Sequence, residues 1–525
     1  PVEQALAAIW ADVLGVERVG RHDNFFELGG DSILSIQVVS RARQAGLRFS
    51  TKELFQHQTV AELAGVTVQE SADAQDAPVV GEVPLTPIQR WFFATHRINP
   101  RHFNQAVMLE LADGLDLDAL RRAVEALFAQ HDALRARFTR DGEEWRQEYG
   151  PVEPLDALTV HALPEGDEEA QAAAMEKIAD EVHAGFDLGR GPLLRAVLFD
   201  RGAGRRPYLL LVAHHLIVDG VSWRILLDDL DSGYGQAAGG GPVRLGAKTT
   251  SVQEWSTRLA QHVASGALDA ELDYWATAAD AGALPVDHEP APGAPAAPAG
   301  TVTVPISPED TDALLRAAPG AYRTRINDVL LAALAWALTR WTGRGRVSVQ
   351  LEGHGREDVL DGVDLSRTVG WFTTMFPVAL EVPADDEPDW RTVVKSVRRQ
   401  LRAVPGNGFG FSALRELGPP EVRERLAGTG GGPQIVFNYL GQWDARSTEA
   451  EASLFHAAHP APGLDHDPAD RTGQALEVVG SVHGGELEFS WYYQPAWYDE
   501  ATVTALAGAF AEALRRIAQD CREDR

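Results

Sequence analysis

Residues 66–82 carry few large apolar side chains, and the hydrophobic period differs on either side of them. A polar stretch of that kind suits a linker, so the chain is expected to fold as at least two units. Ahead of it, Val2, Leu6, Ile9 and Val13 recur at helical spacing until Gly15. A second helix opens near Asp31-Ser32, carries Leu34, Val38 and Val39, and ends at Gly46. Shorter helical pieces around 51–55 and 59–64 complete a four-helix bundle over residues 1–68. Beyond a linker at 69–82, strands and helices alternate. Residues 118–128 and 221–230 read as amphipathic helices, 208–215 as a buried strand, and 326–341 as a strongly apolar helix. Strands follow at 346–351, 434–440, 475–483 and 487–493, and a helix at 502–517. The Pro- and Ala-rich stretch 287–300 divides this region. Two α/β lobes, 83–285 and 286–525, with a central cleft are therefore expected.

Composition narrows the function. An excess of 76 acidic over 47 basic side chains leaves a formal net charge of -29, which repels a polyanion and argues against nucleic acid as a partner. The single cysteine, Cys521, excludes an internal disulfide framework and any multi-cysteine metal site. No run approaches the roughly 18 apolar residues of a membrane span, and no signal-peptide pattern is visible, so no membrane contact and a reducing cytoplasm are expected. The chain begins at Pro1 rather than Met and ends in a charged tail, so a longer parent protein is expected.

Ser32 follows Gly29-Gly30-Asp31 at the first turn of the second helix. Serine and aspartate at such a place can simply cap the helix. Two glycines, however, form an exposed tight turn, and so small a bundle cannot enclose a catalytic cleft. A serine displayed there suits covalent attachment, and a phosphodiester would lie near the positive end of the helix dipole. The run Asn24-Phe25-Phe26-Glu27-Leu28-Gly29-Gly30-Asp31-Ser32-Ile33 resembles the core motif of the peptidyl carrier domains of nonribosomal peptide synthetases. The resemblance implies 4′-phosphopantetheine on Ser32. The Asp31-Ser32 pair is similar to carriers that precede epimerization domains, His-Ser being usual elsewhere.

The apolar run 209–213 ends in His214-His215-Leu216-Ile217-Val218-Asp219-Gly220. Strand alternation sends His214 and His215 to opposite sides, so one faces a cleft and the other the core. Histidines so disposed cannot chelate one metal ion without distortion, whereas imidazole suits proton transfer near neutral pH. The segment resembles the His-His-x-x-x-Asp-Gly motif of the condensation-domain superfamily, whose fold is like chloramphenicol acetyltransferase. That resemblance places His215 at the channel and gives Asp219 a structural role beside an arginine.

Glu352 tops the more polar face of the strand at 346–351, and Gly353-His354-Gly355-Arg356-Glu357 turns the chain behind it. Alone, Glu352 reads as a solvated acid or a partner of Arg356. Glu352-Gly353-His354-Gly355-Arg356-Glu357 nevertheless resembles the epimerization-domain motif, whose first glutamate is the acid/base. Pro87 to Phe92, Arg367 to Thr373, Pro405 to Gly410 and Phe437 to Gly441 are similar to further signatures of that family. Asn438 and Tyr439 in the last of these are polar side chains near a strand end. They share a face only if a bulge intervenes.

The resemblance implies L-to-D inversion of an aminoacyl or peptidyl thioester on Ser32. Glu352 and His215 would flank the α-carbon, with Asn438 and Tyr439 as donor or second acid. No metal and no pyridoxal phosphate are implied, since Lys248 and Lys395 lie outside the motifs and leave no Schiff-base candidate. The implied partners are an upstream adenylation domain, a downstream condensation domain and a phosphopantetheinyl transferase. A condensation domain forming amide bonds is the nearest alternative, against which the Glu352 context and the Asp31-Ser32 pair both speak. A non-catalytic docking module would have no need of His215 or Glu352.

Overall fold

The structure is a computed structural model and describes residues 2–69, 77–280, 282–289, 299–322, 324–383, 385, 387–427, 434–442, 454–467, 469 and 474–523. The centres of the expected linker and of the Pro/Ala-rich divider, 70–76 and 290–298, lie outside the described residues.

Four helices form the N-terminal bundle: α1 (Val2–Leu14), α2 (Ser32–Gln44), α3 (Thr51–Gln56) and α4 (Val60–Val66). Their apolar positions converge on Leu6, Trp10, Phe25, Val38, Leu54 and Leu63, each fully buried. Each such side chain contributes about 1.5–3 kcal/mol. The turn before α2 demands glycine for packing as well as for shape. A Cβ on Gly30 would stand 2.3 Å from the Phe25 ring, and Gly29 has φ +100°. Asp31 caps α2, its Oδ1 accepting from the Leu34 amide at 2.7 Å. Ser32 is thereby the first helical residue.

Eleven described strands build two large sheets: β1 (Asn104–Leu111), β2 (Leu158–Ala162), β3 (Leu194–Asp200), β4 (Tyr208–His214), β5 (Gly300–Ile306), β6 (Arg346–Gly353), β7 (Thr374–Glu381), β8 (Ile435–Gln442), β9 (Phe455–His459), β10 (Leu476–His483) and β11 (Glu486–Tyr493). The first sheet has the order β9-β1-β4-β3-β2 and the second β5-β11-β10-β8-β6-β7. The apolar run 209–213 forms the middle strand of the first sheet and is buried throughout. After β4, helix α5 (Gly220–Ala238) leads away from the histidine pair. Helix α6 (Ile326–Thr342), buried from Asp328 to Thr339, packs with α7 (Glu500–Glu523) against the second sheet. No described helix is long and apolar enough to cross a membrane.

The division expected at residue 285 follows the chain but not the packing. β9, from the second half, pairs antiparallel with β1 of the first sheet, His459 opposite Met108. An uncovered β1 would present a row of unpaired backbone groups, and β9 satisfies them. In the other direction, the helix Leu272–Ala279 lies on the second sheet, where Ser348 Oγ donates to Ala278 O at 2.8 Å. The two lobes are thus cross-braced by elements exchanged between the chain halves.

Candidate active site

β4 delivers the two histidines into different surroundings. His214, its last residue, is fully buried. His214 Nδ1 accepts from the Leu216 amide at 3.1 Å and Nε2 faces Pro100 O at 2.8 Å, so Nε2 carries the proton. Burial pulls its pKa down to about 3. The strand stops there. His215 opens a single 3-10 turn, and its ring packs against Trp371 at 4.2 Å and Phe103 at 5.5 Å, which also touch each other. His215 Nδ1 faces Val218 O at 2.8 Å and Nε2 faces Gln105 Nε2 at 3.0 Å. Burial lowers its pKa, opposed by backbone carbonyls and the Asp219 charge.

Asp219 begins α5 as its cap, with Oδ1 accepting from the Ser222 amide at 2.8 Å. The same carboxylate takes two bonds from Arg356 Nη2, at 2.9 and 3.0 Å, and one from the Phe372 amide at 3.2 Å. Arg356 also donates to Leu365 O and Thr368 O at 2.9 and 2.6 Å, and lies over the Phe372 ring at 4.4 Å. Burial lowers the Arg356 pKa and the Asp219 charge opposes it. This buried knot pins residues 365–372 and with them Trp371 against His215. Gly355 permits it: its φ is +67°, and a Cβ there would stand 1.6 Å from Phe372 O.

Glu352 is the penultimate residue of β6. Parallel register places Gln350 beside Val436 and Val436 beside Glu477, and pairs Asn438 with Val479. Gln350, Glu352, Val436, Asn438 and Glu477 therefore share one face of the second sheet. Asn438 Nδ2 donates to Glu352 Oε2 at 2.9 Å. Glu352 keeps solvent-accessible surface, yet protein atoms stand close around its carboxyl group. That enclosure, and then the Glu477 charge, push its pKa up to about 7. Burial raises Glu477 as well.

Register stays regular through Tyr439, opposite Gly480, and shifts only between Tyr439 and Gln442. The bulge comes too late to turn Tyr439 onto the Asn438 face, so Tyr439 is on the other side of β8. Alternation thus separates the two: Asn438 reaches Glu352, whereas Tyr439 feels Asp31 of the helical bundle. Burial and then that charge push its phenol up.

The bundle is seated on the larger domain. Ile36, 3% exposed, is buried among residues of the larger domain rather than in the bundle's own core, with Ile33 packed beside it. Arg41 donates to Asp228 at 3.3 Å, Arg43 pairs with Asp364, and Arg367 donates to Ser40 Oγ at 2.9 Å. Asp358 accepts from Thr51 Oγ1 at 2.6 Å, and Arg325 lies over Phe26 and Phe55 at 5.8 and 5.5 Å. Ser32, half-buried at the first turn of α2, thus sits at the junction, next to the Asp31 that Tyr439 senses. Its position and the side-chain-free Gly29-Gly30 turn suit an attached arm directed inward.

His215 follows a strand of the first sheet and Glu352 lies near the end of one in the second, and no hydrogen bond or ion pair joins them. They are tied through one ion pair: each stands four residues along the chain from one of its members, Asp219 and Arg356. Two further residues at the site escaped the sequence reading. Gln105 is a polar residue near the start of β1, brought near the histidines only by β1–β4 pairing, in which Asn104 meets His214. Glu477 reaches Glu352 only through two parallel strand pairings. Their sole local signal is a polar side chain in a strand.

Residues 79–524 match the condensation-domain family, and residues 4–66 the phosphopantetheine attachment site. A linear gramicidin synthase of Brevibacillus parabrevis is 42% identical over 535 residues, covering 100% of this chain and 7% of that protein. Chondramide synthase of Chondromyces crocatus is 43% identical over 528 residues, with coverage of 99% and 13%. The chain therefore spans only a small part of the curated relatives it matches. Among solved structures, the epimerization domain from the third module of tyrocidine synthetase B superposes with a TM-score of 0.75 at 32% identity. The match covers 86% of this chain and 99% of that domain.

Proposed function

The chain belongs to the condensation-domain family, with a phosphopantetheine-attachment domain ahead of it, and on that footing we propose that it inverts the α-carbon of an aminoacyl or peptidyl thioester borne on Ser32, from L to D. One observation carries the reading. Glu352 accepts from Asn438 Nδ2 at 2.9 Å, and enclosure by protein together with the Glu477 charge pushes its pKa up to about 7. A carboxyl group half-charged near neutral pH can both take and return a proton, and inversion needs both.

An α-hydrogen beside a thioester is weakly acidic, and its removal places negative charge on the carbonyl oxygen. Catalysis calls for a base at the carbon, a donor at that oxygen, and a proton returned to the opposite face. In this reading Glu352 serves one face and the His215 side the other. Asn438 orients the Glu352 carboxylate, and Tyr439 lines the carrier junction. When bound on Ser32, 4′-phosphopantetheine supplies the thioester linkage. An adenylation domain upstream, a condensation domain downstream and a phosphopantetheinyl transferase complete the proposed cytoplasmic setting.

The test is deuterium wash-out from the α-carbon of a loaded, full-length chain without any acceptor. Glu352→Gln and His215→Ala should each abolish it, and full exchange in either variant removes that residue from the mechanism. Amide formation with an added acceptor, and no exchange without one, would instead establish a condensation domain.

A further inference from the structure

Trp223, Gln105, His215 and Val218 form a hydrogen-bond chain whose direction is dictated at both ends. At one end the Trp223 indole Nε1–H, which can only donate, lies 2.9 Å from Gln105 Oε1. That bond fixes the orientation of the carboxamide, so its NH2 group faces His215 Nε2 at 3.0 Å. An amide NH2 also only donates, so Nε2 must present its lone pair. At the other end the Val218 carbonyl, which only accepts, lies 2.8 Å from Nδ1, so Nδ1 carries the proton. Trp371, stacked on the ring at 4.2 Å, and Phe103 at 5.5 Å crowd the imidazole and oppose a flip that would exchange the nitrogens.

We infer that Gln105, locked by Trp223, is a positioning residue that holds His215 neutral and in its Nδ1–H form. The inference rests on the proposed epimerase reading only for its functional meaning. Protonating Nε2 would set two donors against each other. Turning the amide to relieve that would set its NH2 against Trp223 N–H. Either way a buried hydrogen bond is lost. The remaining charged and titratable neighbours do not reverse this. Asp219 favours the imidazolium but its carboxylate is engaged by Arg356, and His96 disfavours it. His214, with its proton on Nε2, has the opposite form. Burial acts in the same direction as Gln105. In the seated, substrate-free state the basic lone pair of His215 is therefore occupied. Proton transfer through this imidazole requires Gln105 to yield it.

The experiment records the imidazole 15N resonances of His215 in the histidine-labelled full chain from about pH 5.5 to 8, assigned by their loss in His215→Gln. His214 provides the opposite form as an internal reference. In the unsubstituted chain the His215 pattern should stay neutral, Nε2 unprotonated, below the ordinary 6.5. Gln105→Glu keeps the shape and the bond from Trp223 but turns donor into acceptor. It should raise the titration midpoint by at least about one pH unit. Gln105→Leu should free the Nε2 resonance from its hydrogen-bonded position while Nδ1 stays protonated. An ordinary midpoint in the unsubstituted chain, or one unmoved in both variants, overturns the inference. The signal is read without substrate. Expected titration in a chain that shows no α-hydrogen exchange would sink the epimerase reading and leave this one standing.

Discussion

Replacing Glu477 with glutamine removes a carboxylate from the sheet face that carries Glu352 while keeping the side chain's shape. Two strand spacings across and two residues along separate the pair, so their charges lie about 12 Å apart. At an effective dielectric of about 20, two carboxylates at that distance repel by about 1.4 kcal/mol, roughly one pH unit. Water in the open cleft screens part of this, and burial raises Glu477 itself, so a shift of about half a unit to one unit is expected. The sign follows directly: losing a neighbouring negative charge favours the ionised form. The Glu352 midpoint should therefore fall from about 7 towards the ordinary 4.5. The assay is the initial rate of α-deuterium wash-out from separately loaded L and D thioesters between about pH 5.5 and 8.5. The epimer whose hydrogen faces Glu352 should lose rate about tenfold per unit well below the midpoint. Its curve should move to lower pH in Glu477→Gln. An unmoved or raised midpoint would refute the repulsion argument, and the absence of such a limb from both epimers would refute Glu352 as the base.

Three other outcomes can be checked on the full chain. Arg356→Ala leaves Asp219 charged and buried without its partner, which should cost about 3–5 kcal/mol in denaturant unfolding; a loss below about 1 kcal/mol would show that the knot is not what holds residues 365–372. Arg43→Glu should slow exchange a few-fold by weakening carrier seating, and adding Asp364→Arg should restore it. No recovery in that double variant would mean the ion pair does not contribute. His214 has a folded pKa of about 3 against 6.5 unfolded, so its contribution is complete above about pH 6.5 and is lost as pH falls towards 3. The slope is at most about 1.4 kcal/mol per unit; His214→Gln should flatten the stability curve by one proton over that range, and an unchanged slope would count against a neutral buried His214.

The local rules reached furthest where a feature depends on nearby residues alone. Gly15 follows the end of α1 at Leu14, and Asp31 caps α2. The separation of His214 from His215 was legible too, although its cause differs: β4 ends at His214 and a 3-10 turn swings His215 away. Alternation likewise separates Asn438 from Tyr439, because the bulge that would have joined them comes one step too late. Contacts made by distant strands were not legible. Gln105 and Glu477 acquire meaning only when β1 meets β4 and β8 bridges β6 to β10, and neither pairing leaves a mark on local periodicity. The crossing of β9 into the first sheet is hidden for the same reason, since it answers to an open edge elsewhere in the chain.

One contact explains why two motifs so far apart in the chain have to occur together. Asp219 follows His215 and Arg356 follows Glu352, each by four residues, and the two meet in a buried pair in which both carboxylate oxygens are engaged. The span from imidazole to carboxylate is then set by two short segments hinged on one rigid contact rather than by the packing of whole lobes. Gly355 is what lets the second segment run close beneath Phe372, and Phe372 N–H closes the loop by donating to Asp219. A shift of Arg356 would move both Glu352 and the Trp371 ring that holds His215. Activity should accordingly respond to Arg356→Lys more than stability does, because lysine keeps the charge but loses the planar fork that sets the geometry.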